Sequence, residues 1–435
     1  MKDNNFILQG DICWSKSPAA LETMADSFLV CADGKSAGVF PQLPRQYASL
    51  PLVPCRGRLI IPGLVDLHAH APQFAFRGLG MDLELLDWLK FHAFPEEAKY
   101  RDPDYARKAY GHFVEHLKRG PNTRIIVFAT VHAAAAMVLM DLLEESGLVS
   151  MVGKVNMDRN SPDDLREENA GASLKATREW LALCATKKYS CTQPILTPRF
   201  IPSCSDGLMS GLGALRREMN LPVQSHLSEN RNEVEWVRKL CPASEGYGAA
   251  YLDFDLFGSD SPDEAPTVMA HCVWSNEQET ALMARRGVFA AHCPQSNANL
   301  SSGIAPVRRL LSAGAPVGLG SDIAGGANCS IFRAMSDAIQ ASKLRCSLID
   351  NSEKPLTLEE AFYCGTASGG AFFGKAGMGF SGSFEPGNDF DALVINDSRL
   401  AAPFELSIRS RLERAIYTSD SRHIEAKYIR GIMRN

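Results

Sequence analysis

Pro62-Gly63-Leu64-Val65-Asp66-Leu67-His68-Ala69-His70 joins an apolar run to two imidazoles two positions apart. Side chains two apart on a strand share a face, so an extended run aims His68 and His70 the same way. The strand read here is Arg58–His68. Seven more β-rich runs follow it: Arg124–His132, Val149–Met157, Pro194–Arg199, Pro222–His226, Thr267–His271, Gly287–Ala291 and Pro316–Gly320. Helical patterns separate them. Leu83–Leu89 opens one, and Asp206–Met219, Asn230–Leu240, Asn276–Arg286 and Ile331–Ser342 are others. Eight strand–helix units within roughly 310 residues describe an α/β chain folded as a distorted TIM (β/α)8 barrel with insertions.

The two ends read differently. The N-terminal stretch carries short apolar runs, Ser27–Ala32 and Ser36–Phe40, broken by Pro and Gly. Beyond Gly377 a turn, Phe384-Glu385-Pro386-Gly387-Asn388-Asp389, leads into Ala392-Leu393-Val394-Ile395, and Ile416–Met433 holds more strand-like text. The expectation is a barrel over 61–377 flanked by a small β-sandwich module built from 1–60 and 378–435.

Composition narrows the function. A net charge of −5 over 435 residues offers no basic field for phosphates, which argues against a nucleic-acid partner. The 12 cysteines stand singly without a C-x-x-C pair, as expected of reduced thiols in a cytoplasmic protein. The first 15 residues lack the apolar core of a signal peptide. Ile125–Leu143 is long enough to span a bilayer, but His132, Asp141 and four consecutive alanines favour a strand running into a buried helix. No membrane association is expected.

Of the 10 histidines, His68, His70, His132, His226, His271 and His292 fall at or just past strand ends, and Asp322 follows the eighth strand. Active sites of this barrel lie at that end of the strands. Imidazoles with a carboxylate are a donor set for Zn2+ or Fe2+. Glu229 lies three residues beyond His226. Its bland reading is a first-turn helix acid. Its chemical reading is proton transfer, because hydrolytic deamination of a heteroaromatic ring needs activated water and a ring nitrogen protonated during attack. The fourth strand, Pro194-Ile195-Leu196-Thr197-Pro198-Arg199-Phe200, carries no Lys for a bridging carbamate, which favours one metal ion over two. Arg199 can donate to a ring carbonyl and Phe200 can stack on the ring, with plain core packing as the alternative for Phe200.

Taken together these segments resemble the guanine deaminases of the amidohydrolase superfamily. The likeness runs from about Pro62 to Asp397. It rests on Pro62–Gln73, Leu86-Asp87-Trp88-Leu89, Phe128–His132, Thr197-Pro198-Arg199-Phe200, Gln224–Asn230, Met269-Ala270-His271, Ala291–Asn297 and Gly320–Gly326. The resemblance implies one zinc ion, or iron, held by His68, His70, His226 and Asp322. His271 would be either a further ligand or a hydrogen-bond partner of the water. It also implies catalytic roles for Glu229, Asp322 and His271, and base recognition by Gln73, Arg199 and Phe200 together with His226, Glu229 and Asp322. Guanine would be the substrate, xanthine and ammonia the products, and a homodimer the assembly. Arg199 offers donors only, so it suits the C6 carbonyl of guanine and not the C6 amine of adenine. Where the family often has a Gly-Thr-rich run, this chain has Gly120-Pro121-Asn122-Thr123-Arg124, away from the chemistry.

Rival readings are a deaminase of a related ring, such as 8-oxoguanine, another aminopurine, an aminotriazine or an adenosine-type nucleoside, and a non-catalytic barrel kept as a binding protein. The latter should have lost ligands, and none is missing. His92, His112 and His116 are read as surface or packing residues. His132 and His292 are read as groups supporting the site, and Ser296 and Asn297 as residues that fix their own loop. The long segments Asn160–Gly171 and Ser244–Pro266 are expected to be loops that could close over a substrate.

Overall fold

A computed structural model describes residues 4–400 and 402–434; residues 1–3, which open the N-terminal segment read above, lie outside the described residues, as do 401 and 435. Four strands come first: β1 (Phe6–Ser17), β2 (Ala20–Ala32), β3 (Lys35–Phe40) and β4 (Leu52–Pro62). The β2–β3 connection is a two-residue turn, Asp33-Gly34, with φ of 51° and 74° at the two positions. Turns with positive φ at both central residues match the twist of a hairpin, and Asp-Gly suits them.

The barrel strands are β5 (Leu64–His70), β6 (Asn122–Phe128), β7 (Val149–Gly153), β8 (Val155–Asn156), β9 (Thr192–Pro194), β10 (Thr197–Pro198), β11 (Val223–Leu227), β12 (Thr267–His271), β13 (Phe289–His292) and β14 (Val317–Leu319). All of their pairings are parallel: β5-β6-β7-β9, β8 with β10, and β11-β12-β13-β14. The third and fourth strands are each interrupted, β7 from β8 and β9 from β10, which is the distortion of the barrel. A bridge from Leu196 to Val223 joins the two halves on one side. On the other side Asp322 N–H donates to the His68 carbonyl at 2.8 Å and His70 N–H to the Ile323 carbonyl at 3.0 Å, which closes the ring. Closure needs Gly320: a Cβ there would sit 2.9 Å from the His68 Cβ and 2.8 Å from the Cys293 sulfur.

The chain returns through β15 (Ala392–Ile395), β16 (Ile424–Ile429) and β17 (Ile432–Arg434) to complete one seven-stranded sheet, ordered β17-β16-β15-β4-β1-β2-β3. Both termini therefore build the flanking β-rich module. Phe6, Trp14, Leu29, Phe390, Val394 and Tyr428 share an apolar cluster there, separate from the main barrel core. Arg124 ties the module to the barrel. Its fully buried guanidinium donates to Asp391 Oδ2 and Asp389 Oδ2, both at 2.7 Å, and to the carbonyls of Met378 and Gly379.

Three expectations change. Arg58–His68 is not one barrel strand. It divides at Gly63, whose added Cβ would lie 2.3 Å from the Thr123 side chain, and the part before Gly63 pairs within the terminal sheet. Ser244–Pro266 is not an open loop, since it contains the helix Tyr247–Leu252 with both tyrosines buried. Ile331–Ser342 extends to Leu348. Ile125–Leu143 resolves into the end of β6 and most of the helix Ala133–Ser146, and among the described residues no helix is long and apolar enough to cross a membrane.

Candidate active site and metal centre

Strand ends deliver the donors. β5 supplies His68 and His70, β11 supplies His226, β12 supplies His271, and the turn after β14 supplies Asp322. His70 Nε2 and His226 Nε2 face each other at 3.1 Å. Asp322 Oδ1 lies 3.1 Å from His68 Nε2 and 3.5 Å from His70 Nε2. Donor atoms of His68, His70 and Asp322, and likewise of His68, His226 and His271, lie within 4.8 Å of one another. Two ligands ~2.1 Å from a tetrahedral ion are about 3.4 Å apart, so these spacings fit donors converging on one cation.

Electrostatics agree with that reading. Burial, with His68 alongside, holds the His70 and His226 imidazoles well below their ordinary pKa, so both stay neutral with a lone pair to give. Burial opposes ionisation of Asp322, yet the surrounding His68, His271 and His70 keep its carboxyl well below the usual carboxylate range. His68 Nε2 is buried and makes no well-aligned hydrogen bond, although Asp322 Oδ1 lies 3.1 Å away. A buried polar atom left unsatisfied is costly, and a cation held among these donors would remove that cost.

Neighbouring groups fix the rings. His226 Nδ1 donates to the Arg199 carbonyl at 2.6 Å, which turns Nε2 toward the centre. His271 Nδ1 donates to Asn297 Oδ1 at 2.9 Å. Asn297 thus does more than order its own loop. Asp66 accepts from the N–H groups of His68 and Ser321 at 3.2 and 3.0 Å, linking the two strand ends that carry ligands. Four non-glycine residues at these ends, Ser228, His271, Cys272 and Asp322, have φ of 48°, 73°, 52° and 45°. Left-handed backbone at such residues costs on the order of 1 kcal/mol or more each and marks positions that the surrounding structure holds in place.

Above the donors opens a cavity lined by both polar and apolar side chains. Glu229 enters it with its carboxyl 3.5 Å from His271 Nε2 and accepts from Ser302 Oγ at 3.3 Å. Burial first, then the Asp322 charge, push its pKa to about 8. Both effects favour the protonated carboxyl. Glu233, whose Oε2 accepts from the Glu229 and Asn230 N–H groups, secures the loop, and Tyr247 from the Ser244–Pro266 insertion donates to its other oxygen at 2.6 Å. In the same insertion the Tyr251 hydroxyl donates to the His226 carbonyl at 2.9 Å. This segment braces the site from behind. The cavity's apolar wall comes from Leu85, Leu86, Trp88 and Leu89, in the long β5–β6 connection, and from Leu300.

Gln73, Arg199 and Phe200 line the same cavity. Their support comes from a residue with no local mark in the sequence. Glu97, 1% exposed, accepts from Arg199 Nη1 and Nη2 at 2.6 and 3.0 Å and from Gln73 Nε2 at 2.8 Å. Gln73 Oε1 in turn accepts from the Ala324 N–H at 3.2 Å. Glu97 sits in the short helix Phe94–Glu97, and its burial is what distinguishes it. Phe200 is half-buried and meets Trp236 edge-on.

Other histidines stay apart. His112 and His116 are exposed on the helix Pro103–Arg119, and His92 stacks on Phe76. His132 precedes the helix Ala133–Ser146 and joins neither donor group. His292 is buried, and burial with the nearby His271 lowers its pKa to about 3.

Comparison with known proteins agrees with this geometry. The amidohydrolase family model matches residues 59–431. A guanine deaminase of Dictyostelium discoideum is 38% identical over 378 residues, covering 86% of this chain and 82% of its own length. The guanine deaminase of Rattus norvegicus is 35% identical, covering 98% of this chain and 95% of its own. A guanine deaminase from C. acetobutylicum, solved with guanine in its active site, superposes with a TM-score of 0.93 at 45% identity, over 99% of this chain and 100% of that one. The chain belongs to the amidohydrolase family, in its guanine deaminase branch.

Proposed function

We propose that this chain hydrolyses guanine to xanthine and ammonia. The observation that carries the reading is that one cavity is lined by two unlike sets of side chains. One set is His70, His226, His271 and Asp322 of the imidazole–carboxylate cluster with Glu229, and the other is Arg199 with Gln73, which bring hydrogen-bond donors. His68, His70, His226 and Asp322 would hold one zinc ion, with His271 beside it as a further ligand or as the partner of the attacking water. When bound, the cation supplies the Lewis acidity that lets water act as a nucleophile at neutral pH.

The chain's own residues do the rest. Arg199 uses two of its five N–H donors on Glu97 and keeps the others for the C6 carbonyl of guanine. Gln73 retains one amide hydrogen and one lone pair for the ring edge, and Phe200 with the leucine wall encloses the ring faces. Glu229, protonated at neutral pH, gives its proton to the ring nitrogen next to C2 as water adds there. Asp322 takes one proton from water and passes it to the amine, which departs as ammonia, while the hydroxyl left at C2 gives its proton back to Glu229 as the carbonyl of xanthine forms. Adenine lacks the C6 carbonyl and leaves Arg199 unsatisfied, which disfavours it by ~10⁴–10⁵.

We assign residues 61–377 to the catalytic barrel and 1–60 with 378–435 to the flanking module. The 12 unpaired cysteines, mostly buried, support a reducing, cytoplasmic setting. Exposed Leu344, Leu348 and Ile349 offer an apolar surface for the expected homodimer, which sedimentation of the purified protein would test. Ammonia release from guanine, 8-oxoguanine, adenine, cytosine and guanosine tests the substrate assignment. Guanine should dominate, and preference for any other member would overturn it.

A further inference from the structure

We infer that Glu97 is the positioning residue that sets this site's preference for a C6 carbonyl, by fixing Arg199 and Gln73 as one unit. The inference rests on the base-reading role given to those two residues above. Glu97 never faces the reacting atoms. Its two oxygens receive three N–H groups, two from Arg199 and one from Gln73. Only an acceptor-only group satisfies three converging donors, and a carboxylate is the side chain that qualifies. The arrangement is buried: Gln73, Glu97 and Arg199 are each at most 3% exposed. Water therefore has little access to replace a lost partner.

Two consequences follow from the geometry. The end-on contact occupies the outer rim of the guanidinium, so its remaining donors are aimed rather than free to rotate. The negative charge of Glu97 also balances the Arg199 cation, which sits near imidazoles that must stay neutral to bind a cation; Arg199 is among the charges acting on His70. Phe94 places its ring 5.2 Å from the guanidinium and limits sideways swing. The Gln73 amide is held at both ends, by Glu97 and by the Ala324 N–H, so its orientation depends on the same carboxylate.

The test compares two ligands on the metal-loaded enzyme. Hypoxanthine carries the C6 carbonyl, purine does not, and neither has the amine that would react. Their dissociation constants are measured by calorimetry for the parent, for Glu97→Gln and for Glu97→Asp. Glu97→Gln sets an amide N–H2 against donors and should weaken hypoxanthine by about 10- to 100-fold while purine changes less than about threefold. Glu97→Asp keeps an acceptor-only group and should recover part of the preference. Metal content and the thermal midpoint, read on the same samples, identify a variant that has lost its fold. For such a variant the comparison passes to the double variant Glu97→Gln/Arg199→Met against Arg199→Met, where Glu97→Gln should add no further loss of preference. An equal loss for both ligands, or a Glu97→Gln protein with the parent's preference, overturns the inference. A parent that turns over guanine yet binds the two purines alike overturns the carbonyl reading by Arg199 as well. A parent inactive on guanine but selective for hypoxanthine overturns the proposed function alone.

Discussion

Replacing Glu229 with Gln isolates proton transfer from every other property of the site. The two side chains have nearly the same shape, and the amide oxygen can still accept from Ser302 Oγ, which lies 3.3 Å from the carboxyl. None of the proposed metal ligands is touched. At pH 7 a carboxyl with a pKa of about 8 is protonated about ten to one, so the substitution exchanges one neutral group for another and stability should change little. What is lost is a transferable proton. Such a group contributes ~10²–10⁴-fold to rate, or about 2.7–5.5 kcal/mol of barrier. The expected variant binds metal and unfolds like the parent but loses at least ~100-fold in kcat on guanine, followed by xanthine absorbance. The sign of the pH dependence also follows. The donor must carry its proton, so parent kcat/KM should fall as pH rises through about 8, and this limb should be absent in the variant. A variant within tenfold of the parent, or one that keeps the alkaline limb, would refute the reasoning.

Three further perturbations probe other parts of the molecule. Asn297→Ala removes the acceptor that orients His271 and should lower kcat about 10- to 100-fold with metal retained; an unchanged kcat contradicts the orienting role. Arg124→Met leaves Asp389 and Asp391 without their fully buried partner and should cost about 3–5 kcal/mol in denaturant unfolding, whereas a loss under 1 kcal/mol would contradict the clamp. His292 has its folded-state pKa lowered to about 3, so between there and 6.5 the unfolded chain takes up a proton that the folded chain refuses. Stability should therefore fall as pH drops through that window, by up to about 1.4 kcal/mol per unit from this group, and His292→Gln should flatten the slope.

The parts of this site visible in the sequence are those tied to strand ends. His68 and His70 share a face because an extended chain alternates, and His226, His271 and Asp322 announce themselves by following apolar runs. Their convergence needs only the barrel's rule that strand ends meet. The eight-strand pattern was equally legible, although the break at Gly63 was not, because a contact with Thr123 some 60 residues away enforces it. What holds the working side chains from outside the strands was harder to see, including the reach of Asn297, read only as fixing its own loop, to His271. Glu97, Asn297 and Tyr247 lie in helical or loop text where Glu, Asn and Tyr are commonplace, and only tertiary packing buries them against Arg199, His271 and Glu233. The helix Tyr247–Leu252 within the insertion Ser244–Pro266, read as a loop, was hidden for the same reason. Its tyrosines carry no local sign that they brace the site from the far side of the cavity wall.

The central claim is that His68, His70, His226 and Asp322 hold one cation on which guanine hydrolysis depends. Measuring metal content and xanthine formation on the same purified sample, before and after chelation and after return of zinc, tests it directly. The account expects about one metal ion per chain, loss of xanthine formation on its removal, and recovery when zinc is restored. Full turnover by the metal-free protein would contradict it.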